Sequence, residues 1–299
     1  MGQKGAEMIQ KITIAGAGTM GYSMAQIFAE YGYEVILWNH RRETLEKAKE
    51  KIASGVVDKI TYSAEDSAFQ GRDLIVECIK EDLDTKLDFY RQMSPKTDEK
   101  TIIATNTSGL SINTLSEAVQ QPERFLGMHW FNPPTLIPLI EIIKNDHTDA
   151  AVAQAIYDLS LAIDKKPAVV EKDVYGFAAN RLQLAVLREA CSMVKDGVIG
   201  VEGIDSVMKY GIGFRWACLG PLETIDFGGI DTFYHISEYL VPDLEDSHDI
   251  PALIKEHFEA GEYGVKTGKG FYDYSNGKDA EATKERDRKL KAVHDALYK

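Results

Sequence analysis

Residues 11–39 have the sequence KITIAGAGTMGYSMAQIFAEYGYEVILWN, which predicts a strand, a glycine turn, a helix and a second strand. In the pattern G-x-G-x-x-G, the first glycine makes a tight turn and the second lets a pyrophosphate approach the backbone. The third lets the helix pack on the strand. The helix N-terminus adds unpaired N–H groups and a positive dipole end. This stretch predicts dinucleotide binding, unless the turn serves only packing, through Gly16, Gly18, Thr19, Met20 and Gly21.

The residues after the second predicted strand bear on which dinucleotide binds. A carboxylate there usually holds the ribose 2′-hydroxyl of NAD. This strand instead ends at Asn39, and Arg41 and Arg42 follow shortly after. Two guanidiniums could bind a 2′-phosphate bidentately, and no carboxylate would repel it. The pattern favours NADP(H) over NAD(H), although both arginines could instead be solvated residues at the start of a helix.

Composition is that of an ordinary globular chain. The 299 residues, 44% of them hydrophobic, suit two domains or one large one. A net charge of −13 argues against nonspecific binding to nucleic acid or to a membrane surface. Cys78, Cys191 and Cys218 are too few and too widely spaced for a disulfide framework or a metal site, so we expect a cytoplasmic protein. No apolar stretch is long enough for a transmembrane helix.

Strand-like and helix-like segments alternate over about the first 170 residues. This alternation predicts an α/β fold with a doubly wound parallel sheet of the Rossmann type. Later segments are helical, so we expect a dinucleotide-binding domain over 1–172 and a smaller all-helical domain over 173–299. After the opening unit, the predicted strands are 73–79, 101–105, 125–130 and 139–143, and the predicted helices are 42–54, 83–94, 176–194, 232–239, 250–260 and the tail.

The chain contains, in order, the segments GAGTMG, VECIKEDLDTK, ATNTSGLSI, RFLGMHWFNPPTLIPLIEII, GFAANRLQLAVLREA and KTGKGFYDY. Together these segments resemble the 3-hydroxyacyl-CoA dehydrogenase family, and they span nearly the whole chain. The resemblance implies a two-domain fold and dimerisation through the helical domain. It also implies hydride transfer between a nicotinamide and the C3 carbon of a 3-hydroxyacyl group, without a metal.

His129 is the candidate acid–base catalyst. Oxidising an alcohol requires a base for the hydroxyl proton while hydride leaves the carbon, and an imidazole ordinarily titrates near pH 6.5. The matching family pair is a histidine and a glutamate, and Glu141 lies at the glutamate position. Its carboxylate would orient the imidazole and stabilise the charged form. From the residues alone, His129 could be structural and Glu141 could be exposed at a strand edge.

Further polar residues match family positions. Ser108 would bond the substrate carbonyl or hydroxyl, and Asn180 would polarise the C3 oxygen. From the residues alone, Ser108 could be a turn or helix-cap serine, and Asn180 could be a helix-terminus residue that bonds the backbone. The resemblance also places four residues at the cofactor, although the charged ones would otherwise be interpreted as solvated surface groups: Glu81, Lys86, Asn106 and Lys266.

The chain departs from the family after the second strand. Members that use acyl-CoA typically carry a long helical hairpin there, which contacts the CoA, whereas residues 40–72 hold little beyond one helix and one strand. Two segments, HWFNPPTLIPLIEII and YGIGFRWACLGPLE, also resemble a branch that acts on free hydroxy acids, such as L-gulonate or carnitine dehydrogenases. In the second segment, Arg215 could bind a free carboxylate bidentately or form an interface salt bridge.

Three functions follow from these patterns. The first is a homodimeric NAD(P)-dependent dehydrogenase of short 3-hydroxyacyl-CoA substrates, 3-hydroxybutyryl-like. The second is a dehydrogenase of a free 3-hydroxy acid on the same scaffold. The third, a non-catalytic nucleotide-binding or crystallin-like protein, is disfavoured because a structural role has no need for Ser108, His129, Glu141 and Asn180.

Overall fold

The computed structural model describes residues 9–298 of the chain. The chain divides into two compact units, the first ending at Arg181 and the second beginning at Leu182. None of the helices within residues 9–298 has the length and hydropathy needed to cross a membrane.

One eight-stranded sheet forms the first unit. Its strands are β1 Lys11–Ala15, β2 Glu34–Trp38, β3 Ile60–Ser63, β4 Leu74–Glu77, β5 Ile102–Thr105, β6 Phe125–Trp130, β7 Leu139–Lys144 and β8 Lys166–Val170. Their order in the sheet is β3-β2-β1-β4-β5-β6-β7-β8. The first six follow the doubly wound order 3-2-1-4-5-6, which confirms the predicted Rossmann-type α/β fold.

The pairing of β6 with β7 is antiparallel, unlike that of every other neighbouring pair in the sheet. A parallel pair needs a crossover of about a dozen residues or more, usually a helix, and residues 131–138 are too short for one. The predicted parallel sheet therefore contains one antiparallel pair. Strand β8 was not among the predicted strands.

Helices cover both faces of the sheet. They are α1 Thr19–Glu30, α2 Arg42–Lys49, α3 Leu83–Met93, α4 Ile112–Ser116 and α5 Ala150–Ala162. Because strand side chains alternate between faces, Leu74 and Val76 of β4 belong to one apolar cluster and Ile75 belongs to the other. The near-continuous apolar run that predicted this strand is thus explained by burial on both faces.

Two glycines shape the turn between β1 and α1. Gly16 has a φ of +123°, and a Cβ there would lie 2.6 Å from the carbonyl oxygen of Cys78. A Cβ on Gly21 would lie 1.8 Å from the carbonyl oxygen of Gly16. Both positions therefore require glycine. The turn lies where the strand order reverses between β1 and β4, at their carboxyl ends, which is where open α/β sheets bind ligands.

The second unit is helical, as predicted. Only Cys191 and Thr224 are buried among its described residues. Its glycine-rich segment forms short β-bridges of Lys269 with Gly264 and Asp273. Its helices are α6 Ala179–Lys195, which begins in the first unit, α7 Val201–Val207, α8 Gly213–Trp216, α9 Pro221–Gly228, α10 Ile230–Leu240, α11 Ala252–Glu259 and α12 Lys278–Tyr298.

Candidate active site

The start of α1 has the features of a pyrophosphate site. The helix begins at Thr19, and its first N–H groups have no partner within the helix. A Cβ built on Gly18 would meet no atom within 4 Å. The backbone is therefore open to a ligand at Gly18, while Gly16 and Gly21 are closed by packing. An open glycine between two packed ones is what the prediction of a dinucleotide site at this turn requires.

The segment after β2 leaves one of its two arginines without an ionic partner. The side chain of Asn39 accepts a hydrogen bond from the Arg41 N–H at 2.9 Å. Arg42 forms an exposed ion pair with Glu65 at 2.8 Å, whereas Arg41 pairs with no carboxylate within residues 9–298. One guanidinium, rather than the expected two, is thus unengaged at this edge.

His129 and Glu141 are a cross-strand pair. The antiparallel register of β6 and β7 places the two residues directly opposite each other. Nδ1 of His129 lies 2.9 Å from Oε2 of Glu141, and both side chains are buried. The pairing that the resemblance implied is present, and it arises from the sheet register.

The second oxygen of Glu141 anchors the carboxylate to the chain that leads into α6. Oε1 accepts hydrogen bonds from the N–H groups of Ala178 at 3.0 Å and Ala179 at 2.9 Å. Burial alone would raise the pKa of Glu141, but the hydrogen bonds from His129, Ala179 and Ala178 lower it below its usual value. The carboxylate therefore stays ionised and accepts the Nδ1 proton of His129, which leaves Nε2 to exchange protons.

Phe177 turns the chain toward Glu141. Its φ is +53°, which is a rare conformation for a bulky residue, and its side chain is fully buried. Its ring lies 5.6 Å from that of His129, and Phe131 lies 4.4 Å from the same imidazole. Sequence reasoning missed Phe177 and the two alanine amides. The segment GFAAN before a long helix was the signal that could have indicated them.

The loop after β5 is joined to the same region. The side-chain amide of Asn180 donates to the carbonyl oxygen of Ser108 at 2.7 Å. The side chain of Asn106 accepts from the N–H of Trp130, next to His129, at 2.8 Å. The structure thus ties these predicted residues into one hydrogen-bonded region that also contains the His129–Glu141 pair.

The remaining predicted residues differ in burial and in the unit to which they belong. Lys86 is buried and contacts the carboxylates of Glu77 and Glu81, so it is not the solvated charge that the sequence alone indicates. Glu77 is a further polar residue that sequence reasoning missed. Arg215 and Lys266 belong to the second unit, where both are exposed. Within residues 9–298, no cluster of three or more His, Cys, Asp or Glu side chains could hold a metal ion.

Both halves of the chain match known family models. Residues 11–174 match the NAD binding domain of 3-hydroxyacyl-CoA dehydrogenase, and residues 176–274 match the C-terminal domain of 3-hydroxyacyl-CoA dehydrogenase. Together the two matches cover most of the chain, in the order in which the two units occur.

Two curated relatives differ in the substrate that they are named for. The 5-formyl-3-hydroxy-2-methylpyridine 4-carboxylate 5-dehydrogenase of Mesorhizobium japonicum is 35% identical, over 97% of this chain and 99% of the relative. A probable 3-hydroxybutyryl-CoA dehydrogenase of Bacillus subtilis is 33% identical, over 89% of this chain and 98% of the relative.

Two solved structures are also similar to this chain. A crystal structure of the pyridine-carboxylate 5-dehydrogenase, described as an NAD+ dependent dismutase, has a TM-score of 0.91 at 35% identity and covers 97% of this chain and 99% of its own. FadB2 of M. tuberculosis has a TM-score of 0.74 at 28% identity, with coverage of 89% of this chain and 99% of its own.

Proposed function

The chain belongs to the 3-hydroxyacyl-CoA dehydrogenase family and is an NAD-dependent oxidoreductase acting on CH–OH donors, and we propose that His129 and Glu141 carry its proton transfer. The observation that supports this most directly is the 2.9 Å contact between Nδ1 of His129 and a Glu141 carboxylate that two backbone amides also hold. Such an arrangement presents the other imidazole nitrogen as an acid–base group.

The proposed chemistry runs in both directions. Bound at the glycine turn, NAD supplies the hydride acceptor. In oxidation, Nε2 of His129 takes the hydroxyl proton, and Glu141 stabilises the resulting imidazolium. In reduction, the protonated imidazole returns that proton to the developing alkoxide. Ser108 and Asn180 orient the reacting oxygen.

For the substrate, we propose a small free carboxylic acid rather than a CoA thioester. Between β2 and β3 the chain forms only the eight-residue α2 and a short 3-10 turn at Val57–Lys59. The long arm that binds CoA in acyl-CoA members has no counterpart there. The relative named for a pyridine carboxylate, which aligns over 97% of this chain and 99% of its own length, also supports this choice. The exposed Arg215 is then a candidate ligand for the substrate carboxylate.

A short-chain 3-hydroxyacyl-CoA substrate is the second candidate. It is favoured by the relative from B. subtilis, which carries the name of a 3-hydroxybutyryl-CoA dehydrogenase and is almost as similar in sequence. The two candidates share the same proton transfer and differ only in what lies beyond the reacting carbon.

The NADP preference expected from Asn39, Arg41 and Arg42 stays a prediction. The ion pair between Arg42 and Glu65 leaves Arg41 as the residue proposed to contact a 2′-phosphate. An exposed ion pair contributes little free energy. Arg42 can therefore leave Glu65 and contact a bound 2′-phosphate together with Arg41.

Initial rates decide between these substrates and cofactors. We expect NADH or NADPH oxidation with 5-formyl-3-hydroxy-2-methylpyridine 4-carboxylate or with free acetoacetate, and none with acetoacetyl-CoA. A kcat/KM at least roughly tenfold higher with NADPH, equivalent to about 1.4 kcal/mol, would support the Arg41 contact. Turnover of acetoacetyl-CoA alone would contradict the free-acid proposal and establish the second candidate.

We also propose that the chain forms a homodimer through its helical second unit. That unit has almost no buried side chains, yet it exposes large apolar residues, among them Tyr210, Leu222, Phe227 and Ile230, with exposed fractions of 81%, 75%, 76% and 65%. Monomeric proteins rarely expose so much apolar surface. Obligate dimer interfaces resemble a domain core cut in half. A second copy would supply the missing half.

The variant Phe227→Asp tests the dimer. We expect the dimer dissociation constant to rise roughly 30-fold or more, because a buried aromatic anchor is worth about 2 kcal/mol or more. Light scattering after size exclusion at several concentrations measures it. Leu161→Asp, at a 46% exposed position of α5 in the first unit, is the matched control. A wild-type chain that is monomeric at micromolar concentration with its full helical content would contradict the proposal.

Two further assignments remain proposals. The first is the division into a dinucleotide-binding domain over 1–172 and a helical substrate-binding domain over 173–299. The second is a cytoplasmic location, which the free thiols of Cys78, Cys191 and Cys218 support.

A further inference from the structure

Glu77, the last residue of β4, is a fully buried carboxylate with every acceptor site occupied. Its Oε1 accepts hydrogen bonds from Nζ of Lys86 at 2.6 Å and from the N–H of Ile79 at 2.7 Å. Its Oε2 accepts from the hydroxyls of Tyr90 at 2.5 Å and Thr105 at 2.8 Å. A carboxylate offers about four acceptor sites. Glu77 therefore has none left for a ligand, and any effect on the reaction must pass through its neighbours.

Lys86 connects Glu77 to Glu81 and, through Glu81, to the loop after β5. Its side chain is almost fully buried, and Nζ also lies 3.3 Å from Oε2 of Glu81. The other oxygen of Glu81 accepts from the Thr107 hydroxyl at 2.6 Å and from the Ser108 N–H at 2.8 Å. A continuous chain of polar contacts thus links the end of β4 to the backbone of Ser108.

A second set of bonds holds the same loop from the strand side. The N–H of Asn106 donates to the carbonyl oxygen of Glu77 at 2.7 Å, and the N–H of Thr107 donates to the Thr105 hydroxyl at 3.2 Å. Burial and the Glu77 charge raise the pKa of Tyr90 well above its usual range, so the Tyr90 hydroxyl remains a donor to Glu77. The four donors around Glu77 therefore fix its carboxylate in place.

Stability alone does not account for this cluster. A buried ion pair is often no more stabilising than well-packed apolar residues of the same volume, because desolvation cancels the attraction. A carboxylate with all its acceptor sites occupied and a buried ammonium do fix the positions of the groups that they bind, because each hydrogen bond restrains an atom. Here the fixed atoms end at the Glu81 carboxylate and the Ser108 amide.

We propose that Glu77 and Lys86 are positioning residues that hold Glu81 against the loop of Thr107 and Ser108. Lys86 supplies the positive charge between two carboxylates, and Glu77 keeps that charge in place. The loop then presents the Ser108 hydroxyl in one orientation. The consequence for turnover rests on the proposed role of Ser108, whereas the ordering of the loop does not.

The variant Lys86→Met tests the proposal. Without the ammonium, the Glu77 and Glu81 carboxylates repel each other and Glu81 leaves the loop. We expect amide hydrogen exchange in the peptide covering residues 105–110 to rise at least roughly tenfold, as for the loss of a charge-assisted hydrogen bond. We expect kcat with the substrate that the initial rates select to fall by a similar factor.

A second substitution added to Lys86→Met separates the loss of loop positioning from a general loss of stability. In Lys86→Met/Glu81→Gln, the amide oxygen of the introduced glutamine can still accept from Thr107 and Ser108 without a cation beside it. We therefore expect slower exchange and a higher kcat than in Lys86→Met. Glu81→Ala, at a side chain that is 45% exposed, keeps the test valid if Lys86→Met does not fold. It should speed exchange of the same peptide.

Thr13→Val is the matched control. Thr13 lies in β1 of the same sheet, and the substitution removes its buried 2.6 Å hydrogen bond to the Ala68 carbonyl, which is not part of this cluster. It should lower the melting temperature and leave exchange at 105–110 and kcat unchanged. The proposal would be overturned if amide hydrogen exchange at residues 105–110 were that of the wild type in Lys86→Met. If Lys86→Met does not fold, the same result in Glu81→Ala would overturn it. So would a double variant with no recovery. Faster exchange with wild-type kcat would instead overturn the catalytic role of Ser108 and support the ordering of the loop.

Discussion

Replacing His129 by alanine is expected to lower kcat by roughly 10²–10⁴, the range for a general acid–base group, and to leave NADH binding unchanged. Among residues 9–298, the imidazole is the only titratable side chain that hydrogen-bonds to Glu141, and its Nε2 is the nitrogen left to exchange a proton. The glycine turn that binds the dinucleotide lies at the end of β1, on separate residues. Loss of the imidazole should therefore remove proton transfer alone.

Steady-state rates and NADH fluorescence titration, carried out on the same preparation, measure the two effects. His147→Ala is the matched control, since His147 is an exposed histidine of the same unit with no side-chain contact to this site. It should turn over like the wild type. An unchanged kcat in His129→Ala would remove His129 from the reaction, and with it the proposed mechanism.

Replacing Glu141 by glutamine is expected to lower kcat by roughly 10²-fold or more by changing the histidine tautomer. Glu141 accepts three hydrogen bonds, from His129, Ala178 and Ala179. Glutamine has a single acceptor oxygen in its side chain, and the two backbone amides would donate to it. Its NH₂ group would then face Nδ1 of His129. Nδ1 must then accept, the proton moves to Nε2, and Nε2 can no longer act as a base.

The same variant changes the pH dependence of stability. The pKa of Glu141 is lowered in the folded chain, relative to about 4.3 for a free glutamate. Its contribution to the free energy of unfolding is therefore fully present above about pH 4.3 and is lost as the pH falls through the lower folded-state pKa. We expect the wild type to melt above Glu141→Gln at pH 6, with the difference shrinking as the pH falls below about 4.

Thermal melts between about pH 3 and pH 7 measure this difference. Glu171→Gln is the control, because Glu171 is a 73% exposed carboxylate of the same unit, paired with Lys144. It should show little pH-dependent difference from the wild type. A gap between the wild type and Glu141→Gln that stays constant with pH would show that the carboxylate is not held ionised by its three donors.

The sequence by itself determined the Rossmann-type α/β fold, the glycine turn and the family. These depend on local requirements, which sequence patterns report. Gly16 must adopt a positive φ, Gly21 has no room for a side chain, and the apolar run at 73–79 is long enough to fill a strand that is buried on both faces. The residue types at positions 129 and 141 were equally visible in the sequence.

Only the tertiary structure decided how those residues act on one another. His129 meets Glu141 because a short connection makes β6 and β7 antiparallel, and a shift of one residue in that register would part them. The amides that keep Glu141 ionised come from residues 178 and 179, after the left-handed turn at Phe177. Glu77 and Lys86 form a buried pair across nine positions of sequence. Such contacts depend on register and on burial that distant segments create together, so local sequence preferences do not encode them individually.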